Sequence, residues 1–201
     1  MPTADAPTFY FDLGSPYAYL AAERLPALLG EEVRWQPISL GGLFKANGRS
    51  SWALAGPASR AQGIAEVERR AREHGLPAVR WPDPWPSNYL FAMRVATFAR
   101  AAGEGVRFAH QAFRDAFQRG HDLALPKQVL ASAARARLDP AAARAATDDP
   151  RIKQSLRAAT EAAHARGVIG VPTLALGGEL LFGDDRLDQA AGAPRRRPSN
   201  S

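Results

Sequence analysis

The run Phe9-Tyr10-Phe11-Asp12-Leu13-Gly14-Ser15-Pro16-Tyr17-Ala18 decides how this chain is read. Aromatic and apolar residues lead in as a buried strand would. Gly14 permits a tight turn, and Ser15 can cap a helix that Pro16 opens, since the first helical position has no intrahelical use for an N–H. Residues 15–29 continue as an amphipathic helix with Tyr17, Leu20, Ala21, Leu25 and Leu28 on one face, and Pro26 is expected to kink or shorten it. Val33-Arg34-Trp35-Gln36-Pro37-Ile38 alternates as a second strand ending in a loop. The segment is β-α-β, with a serine at the amino end of its helix. Taken alone, Ser15 has a competing reading as an ordinary N-cap.

Composition narrows what surrounds that segment. A length of 201 residues suits one domain, or one domain with a sizeable insertion, and 46% hydrophobic residues can bury a normal core. No apolar run approaches the roughly 20 residues of a membrane span. The residues up to Pro7 lack the basic region and apolar stretch of a secretory signal. The chain has no cysteine, which excludes disulfides, thiolate metal sites and a redox dithiol of its own. That is compatible with a reducing cytoplasm, the compartment expected here. A net charge of +6 invites a nucleic-acid reading. The arginines, however, are interleaved with acids, as in Glu66-Val67-Glu68-Arg69-Arg70-Ala71-Arg72-Glu73, the pattern of a solvated helical face. Neither a nucleic-acid nor a membrane partner is expected. His74, His110, His121 and His164 lack metal-ligand spacing and read as surface or helix-end residues, so no metal site is expected.

Beyond residue 39 the character changes. Leu43 to Pro57 reads as irregular. A charged helix follows over 59–74, closed by Gly75. Trp81-Pro82-Asp83-Pro84-Trp85-Pro86 cannot be regular structure, because its prolines remove donors and fix φ. Ser87 is expected to cap the next helix, with Phe91, Val95, Phe98 and Ala102 on its face. Another helix carries Ala109, Phe113, Ala116 and Phe117, and segments 126–136, 140–147 and 150–166 complete a helical block. Strand character returns at Gly167–Leu176, turns at Gly177-Gly178 and continues over Glu179–Phe182 before a short acidic-led helix. The order is β-α-β, helices, β-β-α. The expected fold is α/β, a thioredoxin-like fold split by an all-helical insertion. Its parts are a thioredoxin-like domain of residues 8–40 plus 167–192, a connecting loop and helical insertion over 41–166, and a disordered tail over 193–201 holding Arg195-Arg196-Arg197.

Two further motifs bear on chemistry. Gly170-Val171-Pro172-Thr173 stands where a thioredoxin-like fold carries a cis X-Pro bond facing the active-site helix, and it would leave the Val171 backbone free to pair with an extended peptide. An ordinary strand-entry proline is the alternative. Phe182-Gly183-Asp184-Asp185 sets backbone amides beside two carboxylates at a helix start, which suits a ligand carrying both a carboxylate and an ammonium; simple helix capping is the alternative.

Phe11-Asp12-x-x-Ser15-Pro16-x-x-Tyr19-Leu20, Gly170-Val171-Pro172-Thr173 and Phe182-Gly183-Asp184-Asp185-Arg186-Leu187 together resemble the 2-hydroxychromene-2-carboxylate isomerase family. That family is grouped with the kappa-class glutathione transferases and with DsbA-like disulfide oxidases bearing a helical insertion. The similarity spans roughly residues 8–190. It implies a glutathione-dependent isomerase that interconverts 2-hydroxychromene-2-carboxylate and trans-o-hydroxybenzylidenepyruvate-type aromatic catabolites. The disulfide oxidases place a cysteine where this chain has Ser15, so the resemblance implies that the thiol arrives as glutathione. Ser15 is the implied catalytic residue, and Ser15, Val171, Pro172, Phe182, Gly183, Asp184 and Asp185 are the implied glutathione contacts. Lys45, Trp52, Trp85 and Asn88 fall near the implied aromatic substrate. At Trp52-Ala53 the chain departs from the asparagine of characterised members, and the identity of the substrate stays open there. The resemblance also implies that a homodimer is possible. Two other readings stay open: a kappa-type glutathione transferase conjugating an electrophile, and a non-catalytic thioredoxin-fold binding protein.

Overall fold

The computed structural model describes residues 6–30 and 33–191, so the arginine-rich tail expected to be disordered lies outside the described residues. Strand β1 (Thr8–Phe11) leads through the Asp12–Gly14 turn into helix α1 (Pro16–Leu29), and β2 (Arg34–Pro37) returns parallel to β1. Seven helices follow: α2 (Leu40–Asn47), α3 (Pro57–Glu73), α4 (Leu90–Ala101), α5 (Gly105–Phe117), α6 (Pro126–Arg135), α7 (Pro140–Ala146) and α8 (Pro150–Ala165). Then β3 (Thr173–Leu176) and β4 (Glu179–Phe182) form a hairpin, and a 3-10 turn over Asp184–Arg186 enters α9 (Leu187–Ala191). The described sheet has the order β2-β1-β3-β4, with β3 antiparallel to β1. This is the thioredoxin-like α/β architecture with helices inserted between its two halves. No helix among the described residues is long and apolar enough to cross a membrane.

Period-two alternation explains how the sheet is covered. Phe9, Phe11, Trp35 and Leu174 are buried in the larger core, whereas Tyr10 and Ala175 join Ile38, Leu43, Ala163 and Val171 in a second cluster with α2 and α8. The inserted helices are fastened to the strands by aromatic rings. Phe113 of α5 lies 5.9 Å from Phe11 between ring centroids, and Phe117 stacks on Tyr19 of α1 at 5.5 Å. Ring pairs in this range add to the burial of their area. Beneath them the buried Asp115 carboxylate accepts from Arg119, Arg135 and Ser132, tying α5 to α6.

Four expectations from sequence are corrected. Pro26 does not end α1, which continues to Leu29, and the Gly30 N–H closes the helix on the Pro26 carbonyl at 3.0 Å. Seven residues of α1 are buried, and that packing outweighs a proline cost of about 3 kcal/mol. Of the stretch Leu43 to Pro57 read as irregular, Leu43 to Asn47 belongs to α2 and Trp52–Leu54 forms a 3-10 turn. Ser39 Oγ accepts from the Gly42 N–H at 3.2 Å, Asp12 Oδ2 accepts from the Leu40 N–H at 2.8 Å, and Gly48 at φ 62° ends the helix. Gly41 and Gly42 concealed it by their poor helix propensity. Ser87 does not cap α4; its hydroxyl donates to the Pro84 carbonyl, and Asn88 Oδ1 takes the Leu90 N–H instead. His110, finally, is half-buried in α5 against Trp35, with ring centroids 4.8 Å apart.

Candidate active site

The turn between β1 and α1 is held from several directions. Asp12 Oδ1 accepts from the Gly14 N–H at 2.9 Å while Oδ2 takes the Leu40 N–H, so one buried carboxylate fixes both the turn and the start of α2. Burial pushes the Asp12 carboxyl up to about 6, against the lowering effect of those two donors. The Trp85 indole N–H donates to the Gly14 carbonyl at 3.3 Å. A Cβ on Gly14 would stand 2.3 Å from Tyr89 Cδ2, so only glycine allows this ring to close over the turn. Ser15 follows in extended conformation at φ −94°, ψ 115°, and its Oγ accepts from the Ala18 N–H at 3.2 Å. That is N-cap geometry, as the simpler reading of Ser15 requires.

The same hydroxyl also reaches across the molecule. Ser15 Oγ donates to the Val171 carbonyl at 3.4 Å, joining the α1 amino terminus to a loop 156 residues away in sequence. The Val171-Pro172 bond is cis. No described residue accepts from the Val171 N–H, and the β1–β3 pairing begins only at Thr173. The Pro172 carbonyl takes the Gly183 N–H at 3.0 Å, which lays the segment after β4 against this loop. Phe182 remains 45% exposed, its ring 2.6 Å from where a Gly170 Cβ would be. Ser15, Val171, Pro172, Phe182 and Gly183 are therefore brought to one corner.

The two aspartates of that segment differ. Asp185 is exposed, its Oδ1 folded back over Gly183. Asp184 is 1% exposed and sits under the loop. Its Oδ1 accepts from Arg70 Nη1 at 2.7 Å and its backbone carbonyl from Arg24 Nη1 at 2.9 Å, while Oδ2 has no donor among the described residues. Burial holds the Asp184 carboxyl above its ordinary value, partly offset by the Arg70 charge. Arg70 also donates to Glu66 at 2.6 Å, stands 3.7 Å from Asp185 and lies 5.5 Å from the Tyr17 ring centre. Neither Arg70 nor the Asp12 link to α2 was singled out in the sequence. Arg70 looked like one more surface charge in the Glu66–Glu73 run, and only the fold brings it to Asp184.

An aromatic wall stands beside Ser15. Tyr17 meets Trp52 edge-on at 6.0 Å, Trp52 meets Trp85 at 5.4 Å, and Trp85 meets Trp81 at 4.7 Å. Trp52 is half-buried and presents some free surface, but Trp85 is 3% exposed. Trp85 thus supports the wall from behind, with little surface to offer a ligand. The exposed Asn88 is engaged in capping α4. Lys45 lies exposed near the end of α2, its side chain with no hydrogen bond or ion pair to any described residue.

The chain is similar to known proteins over most of its length. The chain is 27% identical over 191 residues to 2-hydroxychromene-2-carboxylate isomerase of Sphingobium xenophagum, covering 90% of this chain and 93% of that one. It is 28% identical over 192 residues to the protein of the same name from Pseudomonas putida, covering 89% of each. Among solved structures, 2-hydroxychromene-2-carboxylate isomerase superposes with a TM-score of 0.79 at 24% identity, over 92% of this chain and 91% of that one. The family described as DSBA-like thioredoxin domain matches residues 8–193, and the chain belongs to it.

Proposed function

We propose that this member of the DSBA-like thioredoxin domain family is a glutathione-dependent isomerase of 2-hydroxychromene-2-carboxylate or a closely similar aromatic catabolite. One observation carries the reading: the Ser15 hydroxyl, at the amino end of α1, meets the Val171 carbonyl in a chain with no cysteine. A site of thiol-chemistry architecture is kept while the thiol is not supplied by the protein. Two relatives named for this isomerase, similar over nearly their whole length, point the same way.

The residues suit a glutathione ligand. The unpaired Val171 N–H and adjoining carbonyl match an extended cysteinyl unit. The exposed Asp185 can take an ammonium, and the backbone amides that follow Gly183 can take a carboxylate. Bound there, glutathione would supply the thiol that adds to the substrate carbon and leaves again. The protein's part is orientation and charge. Ser15 Oγ, fixed by the Ala18 N–H, can turn its proton from the Val171 carbonyl toward a sulfur, because a 3.4 Å hydrogen bond is weak. The α1 amino end favours negative charge there. Asp184, held by Arg70 and Arg24, positions the loop that carries Asp185. Tyr17 and Trp52 form a wall against which an aromatic substrate can lie.

Calorimetric titration with reduced glutathione, wild type against Ser15→Ala, followed by an isomerase assay with 2-hydroxychromene-2-carboxylate, tests this. Saturable wild-type binding and turnover are expected. Ser15→Ala should weaken binding and remove most turnover while costing only about 1 kcal/mol of stability for the lost cap. Absence of wild-type binding at millimolar glutathione, or full activity in Ser15→Ala, would contradict it.

A further inference from the structure

We infer that the groove beside the Trp52–Trp85 pair holds the charged end of a small aromatic carboxylate, with Arg60 as its counter-charge. The identification of that ligand as the substrate rests on the isomerase reading. Ala53, Leu54, Pro57, Arg60 and Ile64 line an open groove of about 450 Å³, between the 3-10 turn at Trp52–Leu54 and the start of α3. That volume is in the range of small-molecule sites. Leu54 is left 70% exposed on this rim. The lining is apolar apart from one guanidinium.

That guanidinium has no anion. Further along the same helix, Arg69 pairs with Glu66 and Glu73, and Arg70 with Glu66 and Asp184. The Arg60 side chain is half-buried yet has no hydrogen bond or ion pair to any described residue, and its guanidinium lies over the Trp85 ring, 5.8 Å from the centroid. It stands near the amino end of α3, where the helix dipole disfavours a cation. The face of Trp85 offsets the charge in part but leaves the guanidinium donors without an acceptor among the described residues. A carboxylate supplies one, because the guanidinium fork can bind it through two parallel hydrogen bonds.

Trp85 joins this charge to the candidate active site. Its indole N–H donates to the Gly14 carbonyl, one residue before Ser15, while its ring carries Arg60. Trp52 touches both Trp85 and Tyr17 in the first turn of α1. Trp52 is thus linked through Tyr17 to the first turn of α1, which Ser15 caps, and through Trp85 to the ring that carries Arg60. The anionic end is anchored from the insertion, with no part required of the exposed Lys45.

The probe is salicylate, titrated calorimetrically into the full chain, with neutral salicylamide as control. Wild type should bind salicylate about 10- to 100-fold more tightly than salicylamide, the range of a charge-assisted hydrogen-bonded contact. Arg60→Ala should lose that factor for salicylate alone, and Arg60→Lys should recover part of it. Arg157→Ala, which removes an exposed charge on α8, should bind as wild type does. No salicylate binding to wild type, or equal binding by Arg60→Ala with an unchanged circular dichroism spectrum, overturns the inference. In the isomerase assay Arg60→Ala should raise KM with little change in kcat. Arg60-dependent salicylate binding by a wild type that lacks isomerase activity sinks the isomerase reading and upholds the anion site. An active wild type whose KM is unaltered in Arg60→Ala does the reverse.

Discussion

Removing the Arg70 side chain should unfasten the loop that carries Asp184 and Asp185, and the size of the effect follows from burial. Asp184 is 1% exposed, with Arg70 Nη1 2.7 Å from its Oδ1 and no donor at Oδ2 among the described residues. In Arg70→Met the carboxylate loses its nearest charged partner in a place water does not reach, with only the His74 ring left among the described residues, Nε2 4.0 Å from Oδ2 and charged only when protonated at low pH. Breaking a buried pair from one side costs about 3–5 kcal/mol. Arg70 is itself partly exposed, so the lower end, about 3 kcal/mol, is expected. The loss should depend on pH. Burial already holds the Asp184 carboxyl above its ordinary value, and loss of the guanidinium raises it further. A folded-state value above the unfolded one means that the contribution is whole at low pH and is lost as pH rises through the folded value. Urea unfolding should therefore show a larger deficit in Arg70→Met at pH 8 than at pH 5. The double variant Arg70→Met/Asp184→Asn should recover most of it, since the second change removes the stranded charge. A deficit below about 1 kcal/mol at pH 8, or no recovery in the double variant, would refute the view that this pair holds the loop.

Two other perturbations act on the Ser15 turn. Gly14→Ala sets a methyl carbon 2.3 Å from Tyr89 Cδ2, so an overpacking loss of about 1–3 kcal/mol is expected in urea unfolding, and Tyr89→Leu in the same chain should relieve it. A simple sum of the two single losses would show that the ring and the turn do not meet. The Asp12 carboxyl, moved from 3.8 to about 6 by burial, makes the folded protein bind a proton more tightly than the unfolded chain. Its contribution is complete below the unfolded value and is lost as pH rises to about 6, a change of about 3 kcal/mol at about 1.4 kcal/mol per tenfold. The stability of wild type relative to Asp12→Asn should fall by that order between pH 4 and pH 7; a flat difference would mean that burial does not govern this carboxyl.

The parts of the fold legible in the sequence are those governed by local chemistry. The strand-turn-helix around Ser15 announced itself through Gly14, a capping hydroxyl and a proline at the first helical position, and the cap is present. The hairpin at Gly177-Gly178 was equally open, because two successive positive φ values, 58° and 92°, suit glycine. What stayed hidden depends on partners distant in sequence. Helix α2 forms across two glycines because Asp12 and Ser39 satisfy its amino end, and Asp12 lies 28 residues before the amide it accepts from. Pro26 sits inside α1 because the surrounding core outweighs its cost. Asp184 and Asp185 look equivalent in sequence, yet one is sealed beneath the loop and the other faces solvent.

The same distinction separates Arg60 from Arg70. Both stand on α3 in what reads as a solvated basic helix, and composition treats them alike. Arg70 is satisfied by Glu66 and Asp184, so its charge works within the fold by holding a loop in place. Arg60 faces the Trp85 ring and an apolar groove with no described acid in reach, so its charge is available to something outside the chain. A helix that carries one neutralised and one unneutralised arginine on the insertion divides two tasks between them. The first keeps Asp185 in position beside the Val171 loop. The second selects for negative charge on whatever lies against Trp52. If that division is right, Arg70→Met and Arg60→Ala should fail differently: the first in stability and glutathione affinity together, the second in substrate KM with stability intact. Two variants that failed alike would mean that α3 acts only as a scaffold.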